Sequence, residues 1–134
     1  MNYLSEVGLV FKKSDEKFFF DKMDEWDNLH SKNTDDSARS LLYDATYQIV
    51  HADSIDEDYV VLVWTHVKWH HSYSSVEFFT EIQREINMDF IRVGRDYDDI
   101  EIRPNLGAGI LDTYTETHLV VNCNYADSYV KLHR

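Results

Sequence analysis

The chain has 134 residues, 43% of them hydrophobic and 14% aromatic, which is enough for one packed core and too few for two. Twenty-five acidic residues against 13 lysines and arginines give a net charge of −12, a field that repels phosphate and anionic lipid and so argues against direct binding of nucleic acid or a membrane. The same field suits a basic partner, including a protein groove built to hold nucleic acid, although acidic surfaces more commonly serve solubility alone.

No run of about 18 apolar residues occurs, so no membrane-spanning helix is expected. The opening MNYLSEVGLVFKK lacks a basic lead-in and a small-residue cleavage site and does not read as a signal peptide. The single cysteine, Cys123, has no internal disulfide partner, and a cytoplasmic setting is the expectation. One proline and four glycines predict long elements joined by polar turns.

Val7, Leu9 and Phe11 alternate, which predicts a first strand closed by Lys12 and Lys13. Ser14 or Asp15 can cap the helix that follows, and Asp15 and Glu16 suit its positive end. Within it Phe19, Met23 and Trp26 recur at helical spacing, with Phe20 widening the apolar face. SKNTDDSARS, residues 31–40, is polar and reads as a loop. SLLYDATYQIVHAD fits both periods, but Thr46, Tyr47, Ile49 and Val50 favour a strand in its later part.

DSIDED, residues 53–58, is an acidic connector into YVVLVWTHVKWHH, whose early part is apolar on both parities, as in a strand covered on both faces. Ser74 and Glu77 have capping-box spacing at the start of a helix running to about Asn87, with Phe79, Ile82 and Ile86 on its apolar side. DFIRVGRDYDDIEIRP predicts two short strands about a turn near Gly94, and residues 110–121 a final strand. The order is strand, helix, strand, strand, helix, strand, then further strands. The whole chain is therefore expected to form a single α+β domain of ferredoxin-like βαββαβ type with additional C-terminal strands, its two helices packed on one face of a mostly antiparallel sheet.

In VVLVWTHVKWHHSYSS, the residues Trp64, His66, Lys68 and His70 share a parity. On a strand His66 and His70 lie roughly 13 Å apart, too far to share a zinc, and His71 points to the other face. The zincin motif would need Glu at position 67, where Val stands. A nucleic-acid platform would need more than one lysine on that face. The preferred account is that Trp64 packs beneath a helix while the rest of the face reaches solvent.

Asp96, Tyr97, Asp98, Asp99 and Glu101 form the densest acidic run, flanked by Arg92, Arg95 and Arg103. Ile100 and Glu101 break the calcium-loop pattern. Alternating carboxylates on a hairpin could instead meet spaced lysines or arginines on a partner, with Tyr97 as an aromatic anchor. Asp53, Asp56, Glu57 and Asp58 are the second candidate contact, and Asp21, Asp24, Glu25 and Asp27 add charge along the first helix. Phosphate loops, GxGxxG and GxSxG are missing; Gly107 and Gly109 have the wrong spacing for a nucleotide motif, and Cys123 reads as a strand-end thiol rather than a nucleophile.

The block DYVVLVWTHVKWH…VEFFTEI…DFIRVGRDYDDIEI, about a third of the chain, resembles small acidic proteins carried by bacteriophages and mobile elements. Among such proteins are anti-CRISPR and anti-restriction inhibitors that occupy nucleic-acid-binding surfaces. The resemblance implies a phage-encoded, DNA-mimic type of host-defence inhibitor acting in the host cytoplasm, and it supplies no catalytic residue. The combined expectation is a non-enzymatic protein without metal or cofactor that binds a basic host protein. Two alternatives stand beside it: a small enzyme or ligand-binding module using the His66/His70 face, and a homo-oligomeric assembly protein that dimerises through an uncovered sheet face or edge.

Overall fold

A computed structural model describes residues 4–30, 36–53, 56–94, 99–106, 113–115 and 118–120. The fold is α+β: among the described residues there are five antiparallel strands in one open sheet, three α-helices, and a separate two-stranded sheet. The strands are β1 (Ser5–Lys12), β2 (Thr46–Ala52), β3 (Glu57–Val67), β4 (Met88–Val93) and β5 (Ile100–Arg103), in the order β2-β3-β1-β4-β5. The helices are α1 (Glu16–His30), α2 (Ala38–Tyr43) and α3 (Ser74–Glu81).

Alternation in β1 sends Val7, Leu9 and Phe11 to one face and Val10 to the other. The first face packs under the helices with Phe19 and Met23 of α1, Ala38 of α2, and Phe78 and Phe79 of α3. Phe11 stacks on Phe19 with ring centroids 4.6 Å apart, and Phe19 meets Phe78 edge-on. The opposite face carries Val10, Val50, Val61, Val63, Ile91 and Val93, all buried. β3 is thus covered on both faces, as its early apolar run requires. The small sheet pairs β6 (Thr113–Thr115) with β7 (His118–Val120). β7 comes within 8 Å of β1, Cα to Cα.

Several expectations need correction. The helical layer has three helices rather than two, because α2 begins inside the stretch read as a loop. A six-residue helix is too short to hold itself, and distant groups complete it. Ser37 Oγ accepts from Ser40 N at 3.0 Å, while the Asp27 carboxylate of α1 accepts from Ala38 N at 2.8 Å and Arg39 N at 3.1 Å. At its other end Trp64 Nε1 donates to Leu41 O at 2.8 Å. Where one final strand over 110–121 was expected, the described residues form two short antiparallel strands, β6 and β7.

Ser14 and Asp15 do not cap α1; they lie in a 3-10 turn, Lys13–Asp15, that leads into it. The capping box at Ser74 does not form either. Tyr73 holds the N-cap position without a side-chain bond, so Ser74 is already helical and its Oγ is buried without a partner among the described residues. α3 stops at Glu81 and continues as a 3-10 turn, Ile82–Arg84, though Ile82 and Ile86 are buried as their spacing implied.

Candidate functional site

Two places gather the residues singled out in the sequence. The first is the tight turn of the β2–β3 hairpin. Ala52 pairs with Glu57, and Asp56 takes a positive φ of 51°, a conformation that Asp tolerates better than most residues. This geometry brings Asp53, Asp56 and Asp58 to 3.3, 3.5 and 2.6 Å from the imidazole of His51. Their side chains are 74%, 94% and 52% exposed. No described lysine or arginine lies within 4.0 Å of them, whereas Glu57 is drawn off to Lys12 at 3.9 Å.

The second place is a cleft of about 680 Å³ on the helical side of the sheet. A helix about 10 Å across covers about two strands 4.8 Å apart, so β5 projects past the helices and leaves space beside α3. Phe90 and Arg92 of β4 and Glu101 and Arg103 of β5 line one side. Residues 68–71 and Tyr73 of the β3–α3 connection, with Val76 and Thr80 of α3, line the other.

Arg92 organises the strand side. Its guanidinium donates to Asp99 Oδ1 at 2.7 Å, Glu101 Oε1 at 2.9 Å and Ser5 Oγ at 3.3 Å. The hydrogen bond to Asp99 raises Arg92 above its ordinary value, and the same bond holds the Asp99 carboxyl below the usual aspartate range. Glu101 also accepts from Arg103 Nη2 at 2.7 Å, and Arg103 lies over the Phe90 ring. Gly94 lets Asp99 approach: a Cβ at that position would sit 1.8 Å from Asp99 Oδ2. Gly94 N donates to Asp99 O at 2.7 Å and closes the hairpin.

The connection side depends on a bulge in β3. Val7 opposes Trp64 but Ser5 opposes Val67, so β3 spends one more residue than β1 over that interval. The shared parity of Trp64, His66, Lys68 and His70 is therefore broken. Val67 and Trp69 turn in beside Trp64, while His66 and Lys68 are exposed. His70 and His71 stack at 4.5 Å and His70 Nδ1 lies 2.7 Å from Ser72 Oγ. His70 lines the cleft and His66 does not, so the two histidines form no common face.

The first-choice contact residues separate. Asp96, Tyr97 and Asp98 lie outside the described residues. Asp99 and Glu101 are engaged by Arg92 and Arg103 instead of standing free on a solvated hairpin. Asp53, Asp56 and Asp58 do cluster. The cleft itself was not legible: its two sides, within 68–80 and 90–103, come from separate elements, and the bulge that turns Trp69 inward carries no sequence signature. Among the described residues no group of three His, Cys, Asp or Glu is disposed to hold a metal ion, and no helix is long and apolar enough to cross a membrane. Comparison with protein-family models, curated proteins and solved structures finds no match.

Proposed function

We propose that the chain is a non-enzymatic binding protein that offers acidic surface to a basic partner, an inhibitor of a nucleic-acid-handling host protein of the anti-CRISPR or DNA-mimic type. The observation that carries the reading is the β2–β3 turn, where three carboxylates share one imidazole and no described lysine or arginine neutralises them. Elsewhere the described cations are largely spent within the chain: Lys13 on Glu16, Lys17 on Asp21, Lys22 on Glu25 and Glu85, Arg39 on Asp24. A basic groove meeting the turn would release its own counterions, and association would weaken as salt rises.

The finer architecture belongs to the same proposal. Strands β1 to β4 in the order β2-β3-β1-β4, with α1 and α3 on the two crossovers, are read as a ferredoxin-like βαββαβ core. α2 is then an insertion, and β5 an extension at the β4 edge. In this arrangement the β2–β3 turn is a free hairpin tip, well suited to enter a groove.

The test is affinity capture from host lysate with the wild-type chain and with Asp53→Lys/Asp56→Lys/Asp58→Lys, each at low and high salt. A basic nucleic-acid-handling protein captured by the wild type, released by salt and missed by the variant is the expected result. Capture that survives both the charge reversal and high salt sinks the proposal.

A further inference from the structure

The cleft beside α3 differs chemically from the rest of this acidic surface. Its described lining holds Lys68, Arg92 and Arg103 against Asp99 and Glu101, so three cations face two carboxylates. Both carboxylates are engaged, Asp99 by Arg92 and Glu101 by Arg92 and Arg103. The carboxylates of the cleft are thus engaged, and Lys68 is the cation of its lining that they leave unpaired among the described residues.

Two donors stand next to each other in sequence. Lys68 has no carboxylate within 4.0 Å among the described residues, whereas the other described lysines and arginines all do. Trp69 is the only described tryptophan whose indole N–H has no acceptor among the described residues. Trp26 Nε1 donates to Ser74 O at 3.1 Å and Trp64 Nε1 to Leu41 O at 2.8 Å. Tyr73 and Val76, at the start of α3, border the same space.

The same wall is ring-lined. Trp69, His70, His71 and Tyr73 supply four rings within five residues, and His70 and Tyr73 have centroids 5.8 Å apart. Stacking on such rings is selective for planarity and tolerant of identity. A cleft of about 680 Å³ is within the range that encloses a small organic ligand.

We infer that this cleft binds a small planar aromatic molecule carrying an oxyanion, with Lys68 and the Trp69 indole N–H as its recognition donors and the rings of residues 69–73 as its stacking surface. The source of the oxyanion is a phosphate monoester or a carboxylate. A polymeric nucleic acid is disfavoured by the net charge of −12, which a single anionic group in a locally cationic cleft does not meet in the same way. The inference is independent of the acidic turn and would survive its failure.

The test follows the three indole N–H resonances of the full chain by NMR, with the Trp69 signal assigned from Trp69→Phe. The probes are adenosine 5′-monophosphate, adenosine, indole-3-acetate, indole and inorganic phosphate. A shift of the Trp69 signal by at least one of the two ring anions, saturating below about 1 mM, is expected. That anion should bind at least about tenfold more tightly than its uncharged analogue and than phosphate alone. Which ring anion binds distinguishes phosphate from carboxylate. Lys68→Ala should weaken binding about tenfold or more and Lys68→Arg should restore most of it, while the Trp26 and Trp64 signals stay in place as the control for folding. No Trp69 shift with either ring anion overturns the inference. So does equal binding of the uncharged analogue or of phosphate, or binding unchanged in Lys68→Ala.

Discussion

Trp64 and Trp69 pack with ring centroids 5.2 Å apart on the helical side of the sheet, although they stand five positions apart and a regular strand would send them to opposite faces. The extra residue of the β3 bulge accounts for this. Both rings also meet Phe79 of α3, at 5.2 and 5.7 Å, so the bulge joins the end of β3 to the helical layer and shapes one wall of the cleft.

The bulge makes a prediction about deletions. Removing His66, which is exposed, leaves one residue between Trp64 and Val67; the strand becomes regular and every later side chain keeps its face. Removing Thr65 and His66 together shifts the faces by one residue and expels Val67 and Trp69. The single deletion should keep a cooperative thermal transition with a loss of about 1–2 kcal/mol, and the double deletion should abolish it. Equal damage from both would show that the bulge does not set the faces.

Arg92 and Asp99 depend on Gly94, so their substitutions should be non-additive. Arg92→Ala removes bonds to carboxylates that are 40% exposed, and solvent screening places the expected cost at about 1–2 kcal/mol. Arg92→Lys should not recover it, since an ammonium cannot reproduce the fork that spans Asp99 and Glu101. Gly94→Ala pushes Asp99 out of the same contact. A double-mutant cycle of Gly94→Ala with Asp99→Asn by denaturant unfolding should therefore give less than the sum of the two. Strict additivity would contradict the coupling.

Asp99 also carries a pH signature. Its folded pKa is lowered from 3.8, so its contribution is fully present above 3.8 and is lost as pH falls through the lower folded value. The stability gap between wild type and Asp99→Asn should be constant near neutrality and close only below about pH 3.8. A gap that closes at higher pH would argue against the Arg92 contact.

Tyr47 is pushed up to about 12, first by partial burial and then by the hydrogen bond it donates to Glu16. A raised tyrosine contributes stability that is complete below its ordinary value of 10 and is lost as pH rises toward 12. Ultraviolet difference titration of wild type against Tyr47→Phe should reveal one phenol ionising near pH 12. A difference midpoint near 10 would mean that the Glu16 bond is not made.

Asp89 is nearly buried and accepts from Asn105 N at 2.7 Å and Leu106 N at 2.8 Å, tying the turn after β5 to β4. Asp89→Ala strands two amides and should cost about 2–3 kcal/mol. Asp89→Asn keeps an acceptor oxygen and should cost less. Chemical denaturation orders the two, and the reverse order would rule out this anchoring role.

Much of the secondary structure was readable because it rests on local period. The alternation of Val7, Leu9 and Phe11, the Phe19–Met23–Trp26 spacing and the doubly apolar β3 each reflect burial that follows the strand or helix period. Composition likewise determined that any polyanionic partner would meet repulsion.

What only tertiary structure decided has a common cause: the controlling group lies far away along the chain. α2 depends on Asp27 and Trp64, Trp69 is aimed by a register shift against β1, and Asp99 and Glu101 are neutralised by Arg92 across a ladder. The acidic residues looked equivalent in sequence because charge adds without regard to position. Folding made them unequal, since a carboxylate's availability depends on which cation the sheet brings within 4 Å: it engages Asp99 and leaves Asp56 at the tip of a hairpin.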